Sequence, residues 1–597
     1  MKYTFKAAAL FMIFLISGCG NSDANTANIE IHDIQGCDHT SSFLGRSVSE
    51  VQGIVTKKYT NGFVMQGILP DEKDCSSEAT FVHTSTYSDV IIGDLVSVGG
   101  VVEEFFPGTE DQHNLSQTEI TKASIKTISS GNDLPAPTVL GEGFRQFPMN
   151  VIEDDGLSIF DPQSDGLDFF ESLEWMIVKL PQSRVVGPRN SYNEIVVKEY
   201  FQTTSSDANQ TADALVETNA DKLPDRIMIQ LPSNWSKKVN VGDRVMAGLT
   251  GIMTYSYGNY EIDPISDIVV EKAEHSSRNT DCSILNSNKL RIANYNINNL
   301  SQYSKSSKIT DLANQIVDNL CSPDLLVLEE VQDDSGERDD GVVSADENLS
   351  LLTSEIAKTG GPQYLYYDFP PQNDASGGVQ GGNIRTVFLL KKDSKLKLTS
   401  SAGGVLKNGK TLFLDQSKID LKPNPLQIGF DDPNFQAMRK PIIGLFEYED
   451  KQIIVVGLHL ISKGLNSPEY GSIQPIEEPE LNKRIAQAIY VNAWAEKILL
   501  RSPETIIVIA GDMNDGFESN VLTKLQGKTF LDAAQNLEPG QRFSLIHNGS
   551  AQLFDHILLS RNVSNFSPEI YHLNTLFDDS TKSSDHDPVM VSIEFPK

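Results

Sequence analysis

Short apolar runs separated by glycine and polar turns fill the first half of the chain. "SEVQGIVTKKY", "GFVMQGI", "ATFVHT" and "DLVSVGGVVEEFF" are strand-length stretches before residue 130, the texture of a small barrel or sandwich. A second set begins near Gly166 with "WMIVKLPQSRVVG", "NEIVVKEYF" and "DRIMIQL" and ends in "VNVGDRVMAGLTGIMTYSYGNYEI". From Lys289 the pattern changes. "KLRIANYNI" reads as a strand, and "SSKITDLANQIVDNL" sets Ile309, Leu312, Ile316, Val317 and Leu320 on one helical face. Strands "DLLVLEE", "QIIVVGLHL", "TIIVIAGD", "QLFDHILLS" and "PVMVSIEF", with a helix "LNKRIAQAIYVNAWAEKILL", continue the alternation to the carboxyl end. The second half is expected to be a layered α/β domain.

The two strand-rich sets echo each other. "VIIGDLVSVGGVV" and "VNVGDRVMAGLTGIM" share a β-branched residue, then Gly-Asp-x-Val, then a nearby glycine. Such a tight turn opening a bent strand is common in oligonucleotide-binding (OB) barrels, and both modules resemble that fold. The expected organisation is an OB-like domain over 36–130, a linker over 131–164, a second OB-like domain over 165–272, a linker over 273–288, and the α/β domain over 289–597.

The first 35 residues read differently. "MKYTFKAAALFMIFLISGCG" has Lys2 and Lys6, then an apolar run too short to span a bilayer, then small residues leading into Cys19. "LISGC" resembles the bacterial lipobox, which makes residues 1–19 a signal peptide and Cys19 the lipidated residue. Gly20 after it, by resemblance to sorted lipoproteins, favours the outer membrane or cell surface of a Gram-negative bacterium. Residues 20–35 are polar and unpatterned and suit a tether. Four cysteines remain, Cys37, Cys75, Cys282 and Cys321. In an exported chain an even remainder invites two disulfides. Of three pairings, proximity favours Cys37 with Cys75 and Cys282 with Cys321.

Charge narrows the partners. The chain has 49 basic against 81 acidic residues, a net charge of −32, which excludes general electrostatic attraction to nucleic acid or anionic lipid. A phosphate substrate must be held by a local basic cluster or a metal. Several strands deliver a polar residue at or past their ends: Asn296 at the end of "ANYN", Glu329 and Glu330 after "LLVL", His459 after "VVGL", Asp512 and Asn514 in "GDMND". "KSSDHDPVMVS" adds His586 between Asp585 and Asp587 just before an alternating apolar run. A histidine flanked this way at a strand end has a proton to take or a metal to help hold, or else closes a polar loop.

"ANYNIN", "PDLLVLEEVQ", "GGNIRTVFLL", "RKPIIGLF", "GLHLISKG", "IAGDMND", "LFDHILLS" and "SSDHDPV" occur in the order found in the endonuclease/exonuclease/phosphatase superfamily. The resemblance spans about 289–597, and with the two upstream modules it is similar to the large bacterial extracellular nucleases. It implies two packed mixed sheets flanked by helices, a four-layer sandwich. One departure is Glu329, where the family usually has glutamine; Glu330 is then the metal-binding carboxylate.

The resemblance also implies roles. A phosphodiester needs charge neutralisation, an activated water and a protonated leaving oxygen. Glu330, Asn296 and Asp585 would hold Mg²⁺, with Ca²⁺ or Mn²⁺ as alternatives. His586 would accept the proton from water, Asp585 would help bind the metal or orient the ring, and His459 would contact the phosphate or assist the leaving group. Asp512 and Asn514 would position the nucleophile, and Asp555 would orient His459. Asp587, His556 and His547 are left as structural or surface residues. Arg385, Arg439 and Lys463 are the phosphate-binding candidates, with Lys440 and Arg484 as further cations that could serve. The expected activity is an extracellular or periplasmic nuclease giving 5′-phosphorylated products from DNA, with RNA left open. A phosphodiesterase or phosphatase acting on lipid head groups or nucleotides, or a nucleic-acid-binding surface lipoprotein, are the alternatives. Membrane contact would run through Cys19, and no protein partner is expected.

Overall fold

The structure, a computed structural model, describes residues 29–86, 88–108, 112–200, 214–246, 248–274, 282, 289–399, 410–415 and 418–595. Cys19, the signal segment and residues 20–28 lie outside the described residues.

Strands Ser47–Tyr59, Gly62–Gln66, Ala79–His83, Leu95–Phe105 and Gln117–Ser129 close into a barrel in the order first, second, third, fifth, fourth. The third and fifth strands pair in parallel, and all other neighbours are antiparallel. Val51, Val55, Phe63, Met65, Val82, Val96 and Val98 fill it. A short helix, Ile31–Gln35, adds Ile31 and Ile34 to the same core. The packed body therefore begins inside the segment expected to be a tether, because those two isoleucines have an apolar barrel end to cover. Cys37 is bonded to Cys75 and Cys282 to Cys321.

The second strand-rich module follows the same plan with two interruptions. Ile177–Lys179 and Ser183–Gly187 are halves of one strand broken at Pro181, which has no N–H to donate. Arg244–Val245 pairs with Ser183–Gly187 and Thr250–Ser256 with Ile177–Lys179, so these two pieces border the two halves in turn. With the halves joined, the order is again first, second, third, fifth, fourth, and the third and fifth strands again pair in parallel, Met228 opposite Glu261. The sequence echo is one device used twice. Gly93 N–H donates to the Val55 carbonyl (2.9 Å) and Val55 N–H to the Asp94 carbonyl (2.9 Å); Gly242 and Asp243 make the same pair with Val185 (2.8 Å each). Both glycines have positive φ, +86° and +92°, which a side chain would oppose.

The remainder is a sandwich. One sheet has six strands, in the order Tyr364–Tyr367, Arg385–Lys391, Leu325–Val331, Leu290–Leu300, Val589–Ile593, Phe566–Ile570. The facing sheet is built on Ile442–Tyr448, Lys451–His459, Ile506–Asp512 and Asp555–Ser560. Ile292, Val327 and Phe388 from the first meet Phe446, Val455, Val508 and Ile557 from the second in one apolar core. Helices Ser306–Asn314 and Asp346–Lys358 cover one outer face, and Leu481–Leu499 with Asn520–Gln526 cover the other. This gives the four layers expected. No helix among the described residues is long and apolar enough to cross a membrane.

The second ring is bolted to this sandwich. Arg189 grips the buried Asp578 with two nitrogens (2.7 and 2.8 Å), Val239 N–H donates to the same carboxylate (2.9 Å), and Val241 N–H donates to the Leu576 carbonyl (2.9 Å). These bonds fix the loop that leads into His586. Tyr470 of the sandwich is buried in the ring's own core.

Candidate active site

Alternation along the strands decides where the polar groups fall. Residues of one parity face the space between the sheets. On that face Leu290 and Ile292 are followed by Asn294 and Asn296, Leu325 and Val327 by Glu329, and Ile453 and Val455 by His459 one step past Gly457. Val508 and Ala510 are followed by Asp512, and on the strand running the other way Leu559 and Ile557 lead to Asp555. These five strands turn polar at the same end, so the apolar core finishes in a buried floor of amides, carboxylates and imidazoles. Gly511 permits the close strand approach beside Asp512, since a Cβ there would meet the Leu458 carbonyl oxygen at 1.6 Å.

Glu330 breaks the alternation. The pairing of its strand with Leu290–Leu300 slips after Asn296, and Glu330 has φ +59°, a conformation that costs a bulky residue on the order of 1–3 kcal/mol. The kink turns its carboxylate toward Asn296, whose Nδ2 donates to Oε1 (3.2 Å), while Asn299 N–H donates to Oε2 (3.0 Å). Asn296 Nδ2 also donates to Asp512 Oδ2 (3.1 Å).

His586 sits over this floor. Its Nδ1 lies 2.6 Å from Asp555 Oδ2, and its Nε2 is 3.9 Å from Asp512 Oδ2. Asp555 is itself fixed by Asn294 Nδ2 (3.1 Å) and the Ser544 hydroxyl (2.7 Å). The structure thus pairs Asp555 with His586 and not with His459, because Asp555 stands opposite Asp512 in the sheet and the His586 loop folds over both. Burial alone would lower the His586 pKa, but the Asp555 and Asp512 carboxylates outweigh it and hold the ring well above the usual imidazole range. His459 is the opposite case. Burial, reinforced by the charges of Arg439 and His586, holds it well below that range, and its Nε2 lies 3.5 Å from Asp512 Oδ2. Burial pushes Asp512 up to about 7. Asp585 is half-buried, which raises its carboxyl, but His586 and a hydrogen bond from Asn298 hold it below the usual range. Asn514, at φ +50°, donates its N–H to Asp512 Oδ1 (2.8 Å) and its amide to the Leu460 carbonyl (3.0 Å).

Glu329 neither faces solvent nor joins the hydrogen-bond network. Both its oxygens are buried without a hydrogen-bond partner among the described residues, and burial together with Asp555 and Asp512 pushes its carboxyl well above the usual range.

The basic candidates separate clearly. Arg439 reaches the cluster: it feels the charges of Glu330 and Asp512, donates one Nη to the Leu460 carbonyl (2.8 Å), and keeps a buried Nε with no partner among the described residues. Arg385 spends its guanidinium on Asp368 (3.1 Å) and on the Val343 and Asn383 carbonyls, so it is a scaffold residue. Arg484 is wholly buried between Asp515 (2.9 Å) and Glu478 (3.1 Å). Lys463 lies 3.3 Å from Asp515 at the rim, and Lys440 caps the Phe435 and Met438 carbonyls. Asp587 holds His572 and three backbone N–H groups, a structural role. Asn294 joins the site without having been singled out by the sequence pattern, although it lies two residues before Asn296 on the same strand face. Ser544 carries no sequence signal.

Glu330 and Asp585 offer carboxylate oxygens, the chemistry a hard divalent cation prefers, while Asn296 turns its Nδ2 to Glu330 and Asp512 and its Oδ1 to the Asn298 N–H. The groups of three closely spaced carboxylate or imidazole donors among the described residues lie elsewhere, at His32, Asp71 and Glu78 and at Glu153, Asp165 and Asp168. The strand-end site offers a divalent cation the two carboxylates of Glu330 and Asp585 rather than a cluster of three.

The fold and the site together define a two-sheet α/β sandwich with a His–Asp pair, a strand-end carboxylate and a buried arginine at one end of its core. A family model described as a domain of unknown function (DUF8508) matches residues 139–274, the stretch that holds the second ring. No curated protein matches the chain. Among solved structures, a truncated TDP2 of Caenorhabditis elegans is similar at 15% identity and TM-score 0.33, covering 51% of this chain and 98% of that one. An endonuclease/exonuclease/phosphatase family protein of Leptotrichia buccalis gives 14% and 0.34, covering 51% and 100%. The mannosyl-6-phosphatase Bt3783 of Bacteroides thetaiotaomicron gives 17% and 0.31, covering 51% and 100%. Likeness of this degree carries no argument about activity, and the functional reading rests on the site.

Proposed function

We propose that this chain is a metal-dependent phosphodiester hydrolase acting on nucleic acid, exported and anchored through lipid at Cys19. The observation that carries the reading is the buried His586–Asp555 pair set against Asp512, Glu330, Asn296 and Arg439. A bound Mg²⁺ at Glu330 and Asp585 would neutralise charge on the phosphate and favour ionisation of water. The chain's own groups divide the remaining work. Asp555 fixes the ring through Nδ1 and stabilises the imidazolium that forms once His586 Nε2 has taken the proton from water, so the neutral ring that acts as base is the form that grows in as pH rises. Asp512 orients the groups between the two histidines. His459, held neutral, presents a nitrogen to the phosphate without adding charge, and Arg439 neutralises an oxygen from the other side. The two upstream rings would be OB-type surfaces that hold the rest of a polynucleotide.

The test is a substrate panel. Purified protein is incubated with supercoiled plasmid, linear duplex, single-stranded RNA and sphingomyelin, each with Mg²⁺ and with chelator. Nicking or degradation of DNA that chelator abolishes is the expected result; hydrolysis of sphingomyelin alone would move the reading to lipid head groups. The anchor is tested by fractionation, where Cys19→Ala should leave the membrane.

A further inference from the structure

A cavity of about 320 Å³ opens beside the His586 cluster, between the loop that follows Tyr364–Tyr367 and the segment leading into Ile442–Tyr448. Arg439 belongs to both places: it lines the cavity and feels the carboxylates of Glu330 and Asp512. In a chain with 81 acidic residues, the cavity wall holds three cations, Arg385, Arg439 and Lys440, and no carboxylate among the described residues. Three of its polar groups are buried and have no partner among the described residues: the Ser376 hydroxyl (3% exposed), the Thr386 hydroxyl (5%) and Arg439 Nε (7%). An unmet polar group in a buried position costs about 1–3 kcal/mol. Three on one wall, all able to donate, describe a site completed by a ligand rich in acceptors.

The rest of the wall describes the ligand's body. Phe430 presents its ring at 37% exposure, with Lys440 Nζ 5.4 Å from its centroid, and Phe369 stands in the same wall. Flat apolar surface beside donors, with a guanidinium at the end nearest the carboxylates, matches a phosphate joined to a planar heterocycle. The volume fits the lower range of small-molecule sites.

We propose that this cavity receives the nucleoside next to the reacting phosphate, its base against Phe430 and its polar edge on Ser376 and Thr386, with Arg439 bridging to the phosphate. The proposal rests on the phosphodiesterase reading for the identity of the reacting group, but the cavity can be tested by binding alone. Equilibrium binding of AMP, ribose 5-phosphate and inorganic phosphate to the whole protein is measured in Mg²⁺ without turnover. AMP should bind roughly 10-fold tighter than ribose 5-phosphate, the effect of stacking one base. Phe430→Ala should erase that difference and leave ribose 5-phosphate unchanged; because the ring is partly exposed, the variant should fold. Equal affinity of AMP and ribose 5-phosphate for the wild type, or an undiminished AMP preference in Phe430→Ala, overturns the proposal. Cleavage of plasmid DNA tests the phosphodiesterase reading separately, whichever way the binding falls. Base-dependent binding without any cleavage would support the cavity assignment while removing that reading.

Discussion

Two neighbouring blocks of the sandwich are built from the same parts. One holds Arg484, His556, Asp515 and Asp532; the other holds Arg439, His586, Asp512 and Asp555. In the first every group is closed on another. Arg484 meets Asp515 and Glu478, His556 Nδ1 lies 2.6 Å from Asp532, and its Nε2 faces the Asp515 and Leu553 carbonyls. In the second, one nitrogen of each cation is left over: Arg439 Nε has no partner among the described residues, and His586 Nε2 stands 3.9 Å from the Asp512 carboxylate. Composition does not separate scaffold from site here. Saturation does, and the open block is the one at the end of the inter-sheet core where the five strands turn polar.

Given that difference, the two blocks should fail in different ways. His586→Ala should lower the hydrolysis rate of the folded protein about 10²–10⁴-fold, with a melting temperature in chelator that falls below wild type near pH 6, where the ring's charge balances Asp555 and Asp512, and approaches it as pH rises; an activity loss no larger than the loss of folded protein would move His586 into the scaffold. Arg484→Met should do the reverse. It strands two carboxylates, a loss typically of about 3–5 kcal/mol, so urea unfolding should show a much lower midpoint, with specific activity of the folded fraction little changed. Arg439→Met should raise KM or lower kcat/KM about 10-fold or more, the scale of a charge-assisted hydrogen bond, read from initial rates on a short oligonucleotide.

The smallest effect concerns pH. Burial opposes the His556 charge, but Asp532 and two carbonyls hold its pKa above 6.5. A folded-state pKa raised in this way gives stability that is full below the unfolded value of about 6.5 and is lost as pH rises through the folded value. Wild-type melting temperature in chelator should therefore fall between pH 6 and pH 9, and His556→Gln should flatten part of that fall. His586 shares the sign, so the slope that remains in His556→Gln should shrink again in the double variant with His586→Ala.

Much of this is legible in the chain itself. Polar strand ends locate Asn296, His459 and Asp512, the family resemblance adds Asp555, and the Gly-Asp-x-Val echo locates a turn that recurs bond for bond in both rings. What escapes the sequence depends on distant chain segments. The sequence pairs Asp555 with the wrong histidine, since which imidazole it meets is set by a loop 31 residues later. Arg385 reads as a phosphate ligand because its competing partners Asp368 and the Val343 carbonyl come from other turns. The helix at Ile31–Gln35 is invisible to pattern because five residues carry almost no periodicity, and only the barrel beneath makes burial of Ile31 and Ile34 worthwhile. Pattern does not tell Glu329 and Glu330 apart either. Regular alternation points Glu329 inward, and a backbone kink brings Glu330 to the same site.

The central claim is that the open block is a cation-dependent hydrolytic site in which Glu330 serves the metal and His586 serves the proton. A Mg²⁺ titration of plasmid cleavage by Glu330→Gln and His586→Ala tests it directly. Glu330→Gln keeps the shape of the side chain and loses its charge, so metal affinity should fall, and by mass action part of the activity should return at high Mg²⁺. No concentration of Mg²⁺ supplies an imidazole, so His586→Ala should stay low throughout, recovering only as pH rises and hydroxide takes the place of the base. Rescue of His586→Ala by Mg²⁺ alongside an inactive Glu330→Gln would contradict the account.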